Sequence, residues 1–222
     1  MKKPLITLTP GQTLPHASLT LQAYLPEQQI AHAGLLDGLS AEEIDHHYAP
    51  VSDEKIQLAG LRNGTLVPLS AARIEMGMQK RVLELEDEGY EIILLLCSGN
   101  IGRLQTRQAV VLESDRLVPP LIAAIVSDHQ VGIVVAAEHH QLMNKWSRLS
   151  KPPYFAVASP WLADNETLLD AALLLQEQGV DVVVLDAPGY HPRQRDLLQK
   201  LLGIPVLLSS MLMVQLATEL IM

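Results

Sequence analysis

The chain of 222 residues contains one cysteine, one phenylalanine and two tryptophans, and its formal net charge is −9. A single thiol, Cys97, excludes an internal disulfide framework. An aromatic share of 4% leaves an aliphatic core, which suits parallel strands buried on both faces. Nucleic-acid binders need a positive footprint, so the acid excess argues against a phosphate-backbone partner. A small anion held by backbone N–H groups stays compatible. No long apolar run is present. After Met1-Lys2-Lys3 the apolar stretch covers only Pro4 to Leu8 before Pro10-Gly11, too short for a signal peptide or a membrane span. The stretch from Ile204 to Met222 is broken by Pro205, Ser209, Ser210, Gln215 and Glu219, and reads as a strand followed by a helix. A cytoplasmic protein without a membrane or nucleic-acid partner is expected.

What is present is enough for a substantial core, with 48% hydrophobic and 18% charged residues. One segment also occurs twice. The first copy is Glu86-Asp87-Glu88-Gly89-Tyr90-Glu91-Ile92-Ile93-Leu94-Leu95-Leu96-Cys97-Ser98-Gly99-Asn100. The second is Gln176-Glu177-Gln178-Gly179-Val180-Asp181-Val182-Val183-Val184-Leu185-Asp186-Ala187-Pro188-Gly189-Tyr190. Each reads as a helix end, a Gly cap, a buried strand and a Gly-containing turn. Gly89 aligns with Gly179 at an offset of 90 residues, which carries Cys97 onto Ala187. Duplication predicts two similar halves facing each other across a cleft, with Cys97 and Ala187 at equivalent strand ends.

The remaining pattern alternates strands and helices, the mark of parallel α/β architecture. Strands are expected at 5–9, 29–36, 92–96, 131–136, 154–158, 182–185 and 206–208. Helices are expected at 14–25, after the Ser40-Ala41-Glu42-Glu43 capping box, after Ser70, around 102–110, from Pro119-Pro120 to Asp128, at 138–149, from Asp164 to Gly179, up to Leu202, and at the C-terminus. Arg62-Asn63-Gly64-Thr65 predicts a hairpin over 55–69, because Asn-Gly tolerates positive φ. That hairpin has no counterpart in the second half. The expected divisions are an N-terminal α/β half over 1–116, a C-terminal half over 117–208, and a helix over 209–222 packing back on the first half.

Ligands of open parallel sheets bind at the C-terminal ends of strands. Cys97 stands at such an end, before a predicted helix start, and the N–H groups of Ser98, Gly99 and Asn100 could cradle a carboxylate. The same environment would favour thiolate. A small buried residue closing a strand is the bland reading of the same position. Thr9 and Gln12, in Thr9-Pro10-Gly11-Gln12, could contact a ligand carboxylate or simply form a turn. On the second strand end the corresponding residues are Ala187, Gly189, Tyr190 and His191, and His191 could supply an acid/base. Ser209-Ser210 reads equally as ligand contact or N-cap. Adjacent histidines at His46-His47 and His139-His140 point to different helix faces, so no metal site is expected. Trp146 and Trp161 read as packing residues.

The motifs Leu96-Cys97-Ser98-Gly99-Asn100 and Asp186-Ala187-Pro188-Gly189-Tyr190 resemble the paired strand-end motifs of the aspartate/glutamate racemase superfamily, closest to its hydantoin-racemase branch. The chain as a whole resembles the AroM family, most distinctively over Asp196-Leu197-Leu198-Gln199-Lys200 and Gly203-Ile204-Pro205-Val206-Leu207-Leu208-Ser209. The resemblance implies two Rossmann-like α/β halves with parallel sheets related by a pseudo-twofold. It also implies cofactor-independent chemistry with one cysteine from each half, working on opposite faces of a carbon beside a carboxylate. Ala187 departs from that pattern, since alanine neither donates nor accepts a proton. Pro188 withholds an N–H from the turn. The expected function is an isomerase- or lyase-like enzyme on a small carboxylate metabolite, with Cys97 as single acid/base and no cofactor. A non-catalytic metabolite-binding protein is the alternative. A homodimer is expected, since closed twofold assemblies are the commonest.

Overall fold

The computed structural model describes residues 3–13, 30–97, 101–136, 145–160, 165–187 and 189–221. The chain divides into two compact units, Met1–Glu113 with Gln215–Met222, and Ser114–Val214. In chain order the elements are β1 (Lys3–Thr9), β2 (Ile30–Gly34), α1 (Ala41–Tyr48), β3 (Ile56–Gly60), β4 (Leu66–Ser70), α2 (Ala71–Asp87), β5 (Tyr90–Leu95) and β6 (Val110–Glu113). There follow α3 (Ser114–Val126), β7 (Val131–Val135), β8 (Tyr154–Val157), α4 (Glu166–Glu177), β9 (Val182–Leu185), α5 (Pro192–Leu202), β10 (Val206–Leu208) and α6 (Ser209–Leu220).

Each unit is built on one four-stranded sheet, ordered β2-β1-β5-β6 in the first and β10-β9-β7-β8 in the second. All neighbours in both sheets are parallel. The two orders are the same path. β7 replaces β1 at the inner position, β8 replaces β2, β9 replaces β5 and β10 replaces β6. The molecule therefore has two similar α/β halves. Ile92 to Leu95, Val131 to Val135 and Val182 to Leu185 are buried without alternation, as parallel strands covered on both faces require.

Local chemistry sets the element ends. Ser40 and Glu43 form the reciprocal capping box that starts α1. Ser70 accepts the Arg73 N–H at the start of α2, whose buried stripe is Ile74, Met78, Val82 and Leu85. Gly89 and Gly179, the paired glycines of the repeat, have φ of 95° and 73°. That left-handed conformation lets each helix turn directly into its strand and is costly for residues with a Cβ. The hairpin pairs Leu58 with Pro68 in antiparallel register, around a turn with Gly64 at φ 85°. Between β8 and β9 the second half has α4 alone among the described residues.

Two expected elements take another form. Residues 102–109 are not helical, and the chain enters β6 instead. Gly102 is left-handed at φ 54°, and the Glu86 carboxylate accepts the N–H groups of Arg107, Gln108 and Ala109. Those N–H groups thereby have partners outside a helix. The helix expected from Pro119-Pro120 begins earlier, at Ser114, with both prolines inside it. β6 passes straight into that helix, so the start is set by the strand end. The helix expected at 14–25 lies outside the described residues, as does most of the one expected at 138–149.

Candidate functional site at the strand ends

Hydrogen bonding fixes which residues are equivalent at the two strand ends. In the first half the Leu96 N–H donates to the Leu8 carbonyl at 2.8 Å, and in the second the Asp186 N–H donates to the Val134 carbonyl at 2.9 Å. Leu8 and Val134 occupy the same position in their sheets, opposite Leu95 and Leu185. Leu96 and Asp186 are thus counterparts, and so are the next residues, Cys97 and Ala187. Cys97 is half-buried and packs against the first half's core. Ala187 is 2% exposed, inside the second half's core cluster. Ser98, Gly99, Asn100 and Pro188 lie outside the described residues.

The other expected residues are placed as follows. Thr9 ends β1, beside the strand that leads to Cys97, and its Oγ1 accepts the Gly11 N–H at 3.5 Å. Gln12 is committed to its neighbours: its Nε2 donates to the Leu36 carbonyl, and its Oε1 accepts the Arg62 N–H at 2.9 Å. Gly189 is part-exposed in the turn after β9. Tyr190 is fully buried, and its hydroxyl donates to the Ala158 carbonyl at 2.7 Å. Burial, assisted by the negative Asp186, pushes its phenol above the usual range. His191 is the N-cap of α5, where its own N–H donates to Gln194 Oε1 at 2.9 Å. His46 and His47 are exposed, with rings edge to face. Among the described residues no three His, Cys, Asp or Glu side chains converge as a metal site.

A charged cluster occupies the strand ends of the second half. Lys145 Nζ lies 2.6 Å from Asp186 Oδ2 and 2.7 Å from Asp115 Oδ1. Asp186 follows β9, and Asp115 lies in the first turn of α3, where the helix dipole favours a carboxylate. Ser209, at the start of α6, donates its hydroxyl to Asp186. The Asp186 side chain is only 3% exposed, against 15% for Lys145 and 26% for Asp115. Burial lifts the Asp186 carboxyl, and the attraction of Lys145 only partly offsets this. For Lys145, burial works against the ammonium, but Asp186 and then Asp115 outweigh it and hold its pKa above the usual lysine range. In the first half the residue equivalent to Asp186 is the apolar Leu96. That half carries a buried carboxylate at another strand end, Glu113 of β6, which pairs with Leu95.

Lys145, Asp115, Asp186 and Glu113 do not stand out in the sequence as a site. Asp186 carries the one usable signal, a carboxylate that directly follows the aliphatic run Val182-Val183-Val184-Leu185. Its partner Lys145 is 41 residues away, and no spacing rule links them.

The sequence pattern of one family, described as AroM protein, matches residues 6–221. A comparison with curated proteins returned no match. Among solved structures, a point mutant of arylmalonate decarboxylase in a sulfate-associated form is similar with a TM-score of 0.61 at 15% identity, covering 97% of this chain and 92% of that one. Allantoin racemase from Pseudomonas fluorescens gives 0.60 at 13% identity, covering 97% and 89%. Glutamate racemase from Francisella tularensis subsp. tularensis, in complex with D-glutamate, gives 0.59 at 12% identity, covering 99% and 81%. The chain shares the fold of these decarboxylase and racemase structures.

Proposed function

The chain belongs to the AroM family, and from its strand-end chemistry we propose that it is an isomerase- or lyase-like enzyme acting on a small carboxylate, with Cys97 as its single acid/base. The carrying observation is the matched hydrogen-bond register that sets Cys97 and Ala187 at equivalent positions. A two-base racemase needs a donor on one face of the carbon and an acceptor on the other. At the equivalent strand ends of the two halves, one residue carries a thiol and the other a methyl group.

The chemistry that remains is one-sided. In proton exchange, the Cys97 thiolate takes the proton from the carbon beside the carboxylate. The electron pair moves into an enediolate, and the thiol returns a proton to the same face. In decarboxylation, the C–C bond to one carboxylate breaks, carbon dioxide leaves with no electron pair, and the carbanion is protonated by the thiol. Neither step needs an added oxidant or reductant. Backbone N–H groups at the end of a parallel strand suit the developing oxyanion, and Thr9 is the polar side chain on the neighbouring strand end. The fold's relatives support this class, since they include an arylmalonate decarboxylase and a glutamate racemase.

A second reading is a carboxylate-binding protein without turnover. The burial of Ala187 and the commitment of the Tyr190 hydroxyl to Ala158 favour it. Deuterium incorporation separates the two. Wild type and Cys97→Ser are incubated in deuterated water with a panel of amino, hydroxy and aryl-malonic acids, followed by NMR. Exchange or carbon dioxide release by the wild type, lost in Cys97→Ser, is expected. A wild type that binds an acid by calorimetry yet exchanges nothing supports the binding protein.

A further inference from the structure

The first half holds a cavity of about 310 Å³, bounded by the turn after β2, the end of α1 and the second half of α2. None of the strand-end residues described above lines it. Leu35, Leu39 and Gly77 make the apolar part of its wall, and Tyr48, Lys80 and Glu84 carry polar groups into the lining. Gly77 stands inside α2, where glycine is destabilising relative to alanine. Its neighbours explain it. A Cβ there would lie 2.9 Å from the Tyr48 hydroxyl oxygen and 3.0 Å from Leu35 Cδ1. The glycine thus lets Tyr48 and Leu35 close against the α2 backbone and complete the wall.

Two donors of this lining are unused. The Tyr48 hydroxyl makes no hydrogen bond among the described residues. Burial, and then the negative Glu84, push its phenol above the usual range, so it stays protonated and able to donate. The Lys80 ammonium has three N–H bonds. Its one ion pair, with Glu84 Oε1 at 3.7 Å, is too long for a hydrogen bond, and its side chain is 80% exposed. Arg81 is committed elsewhere, to Glu84 at 3.1 Å and Glu88 at 3.0 Å. The cavity therefore offers a spare O–H, a spare ammonium and an apolar wall, while Glu84, its carboxylate, already serves Arg81.

We propose that this cavity is a second binding site of the protein, for a small carboxylic acid with an apolar body. The ligand's carboxylate accepts from the Tyr48 hydroxyl and the Lys80 ammonium, and its carbon chain covers Leu35, Leu39 and Gly77. Drawing Lys80 away from Glu84 costs little, because exposed ion pairs are weak. The volume reaches the lower end of the range for small-molecule pockets, about 300 Å³. A ligand held here touches both α1 and α2, so it stabilises their packing in the folded state. The site does not depend on the chemistry assigned to Cys97.

Calorimetric titration at pH 7 with hexanoate, acetate and hexanamide tests this. Hexanoate is expected to bind. Acetate, which lacks the apolar chain, and hexanamide, which lacks the charge, should each bind about tenfold or more weakly. Lys80→Met, at an exposed position that leaves folding intact, should weaken hexanoate binding about fivefold or more, and Tyr48→Phe should weaken it several-fold. Cys97→Ser should bind hexanoate as the wild type does, so failure of the catalytic reading leaves this one standing. A folded wild type that does not bind hexanoate at millimolar concentration overturns the proposal. So does binding that Lys80→Met and Tyr48→Phe leave unchanged, or that Cys97→Ser abolishes.

Discussion

Asp186 ends a strand of Val182, Val183, Val184 and Leu185, all buried, and burying a charge there is expensive unless it is paired. Lys145 supplies the pair at 2.6 Å. Removing only the lysine leaves the carboxylate alone, and Lys145→Met should cost about 3–5 kcal/mol in urea unfolding at neutral pH. Adding Asp186→Asn should recover most of that loss, because the uncompensated charge goes with it. The pH dependence of the single variant follows from the sign of the shift. Burial without Lys145 holds the carboxyl of Asp186 above its unfolded value, so the native state binds the extra proton. The penalty is absent below the ordinary carboxylate range of about 4 and grows as pH rises through the raised value. A Lys145→Met variant whose stability does not improve toward low pH relative to wild type would contradict this. At this scale the sequence shows Cys97, because it is the one thiol and ends a strand. It hides Lys145, whose role depends on folding distant segments together.

Close backbone approach anchors the hairpin and the loop after β1. A Cβ on Gly11 would lie 2.2 Å from the Gly60 carbonyl oxygen, and one on Gly34 would lie 2.5 Å from the Gly11 oxygen and 2.7 Å from the Thr13 nitrogen. The obstructing atoms are backbone, so neither clash is relieved by a side-chain rotation. Gly11→Ala and Gly34→Ala should each cost about 1–3 kcal/mol or more in chemical denaturation, the range of an overpacked core. Asp37 ties the same region. It accepts from the Thr13 N–H at 2.9 Å and hydroxyl at 2.5 Å, and from the Gly34 N–H at 2.7 Å. Burial works to raise its carboxyl, but Thr13, Gly34 and Arg62 together bring it below the ordinary value. A lowered folded pKa stabilises above the unfolded value and is lost as pH falls through the folded one. Asp37→Asn should therefore cost about 1–3 kcal/mol at pH 7, with the difference from wild type shrinking as pH falls below about 4 and on through the lowered folded value. An equal gap at pH 3 and pH 7 would refute the carboxylate's role. These elements differ in how much the sequence reveals. Asn63-Gly64 and Ser70 mark the hairpin and α2 through local turn and cap chemistry. β6 is hidden, because Glu86 holds residues 107–109 from a distant helix end.

On the scale of the molecule, one chain path is written twice, and the copies differ at the residues that would do chemistry. The repeat is legible in sequence because Gly89 and Gly179 need the same left-handed conformation before the same kind of strand. The environment of Ala187 is not legible there. It is 2% exposed, so Ala187→Cys adds a sulfur to a filled core and should cost about 1–3 kcal/mol. The hairpin, which has no counterpart among the described residues of the second half, exposes more than half of Ile56, Leu58 and Leu66. We expect a second copy of this chain to cover it in a homodimer. Light scattering should give twice the mass of 24.4 kDa, and Leu58→Glu should restore the monomer. The central claim is that a single acid, Cys97, works on one face of the substrate carbon. It is tested most directly by the stereochemistry of the product formed from a prochiral aryl-methyl-malonate, resolved by chiral chromatography. The account predicts one enantiomer, formed by the wild type and not by Cys97→Ser. A racemic product formed at the enzymatic rate, or undiminished turnover by Cys97→Ser, would contradict it.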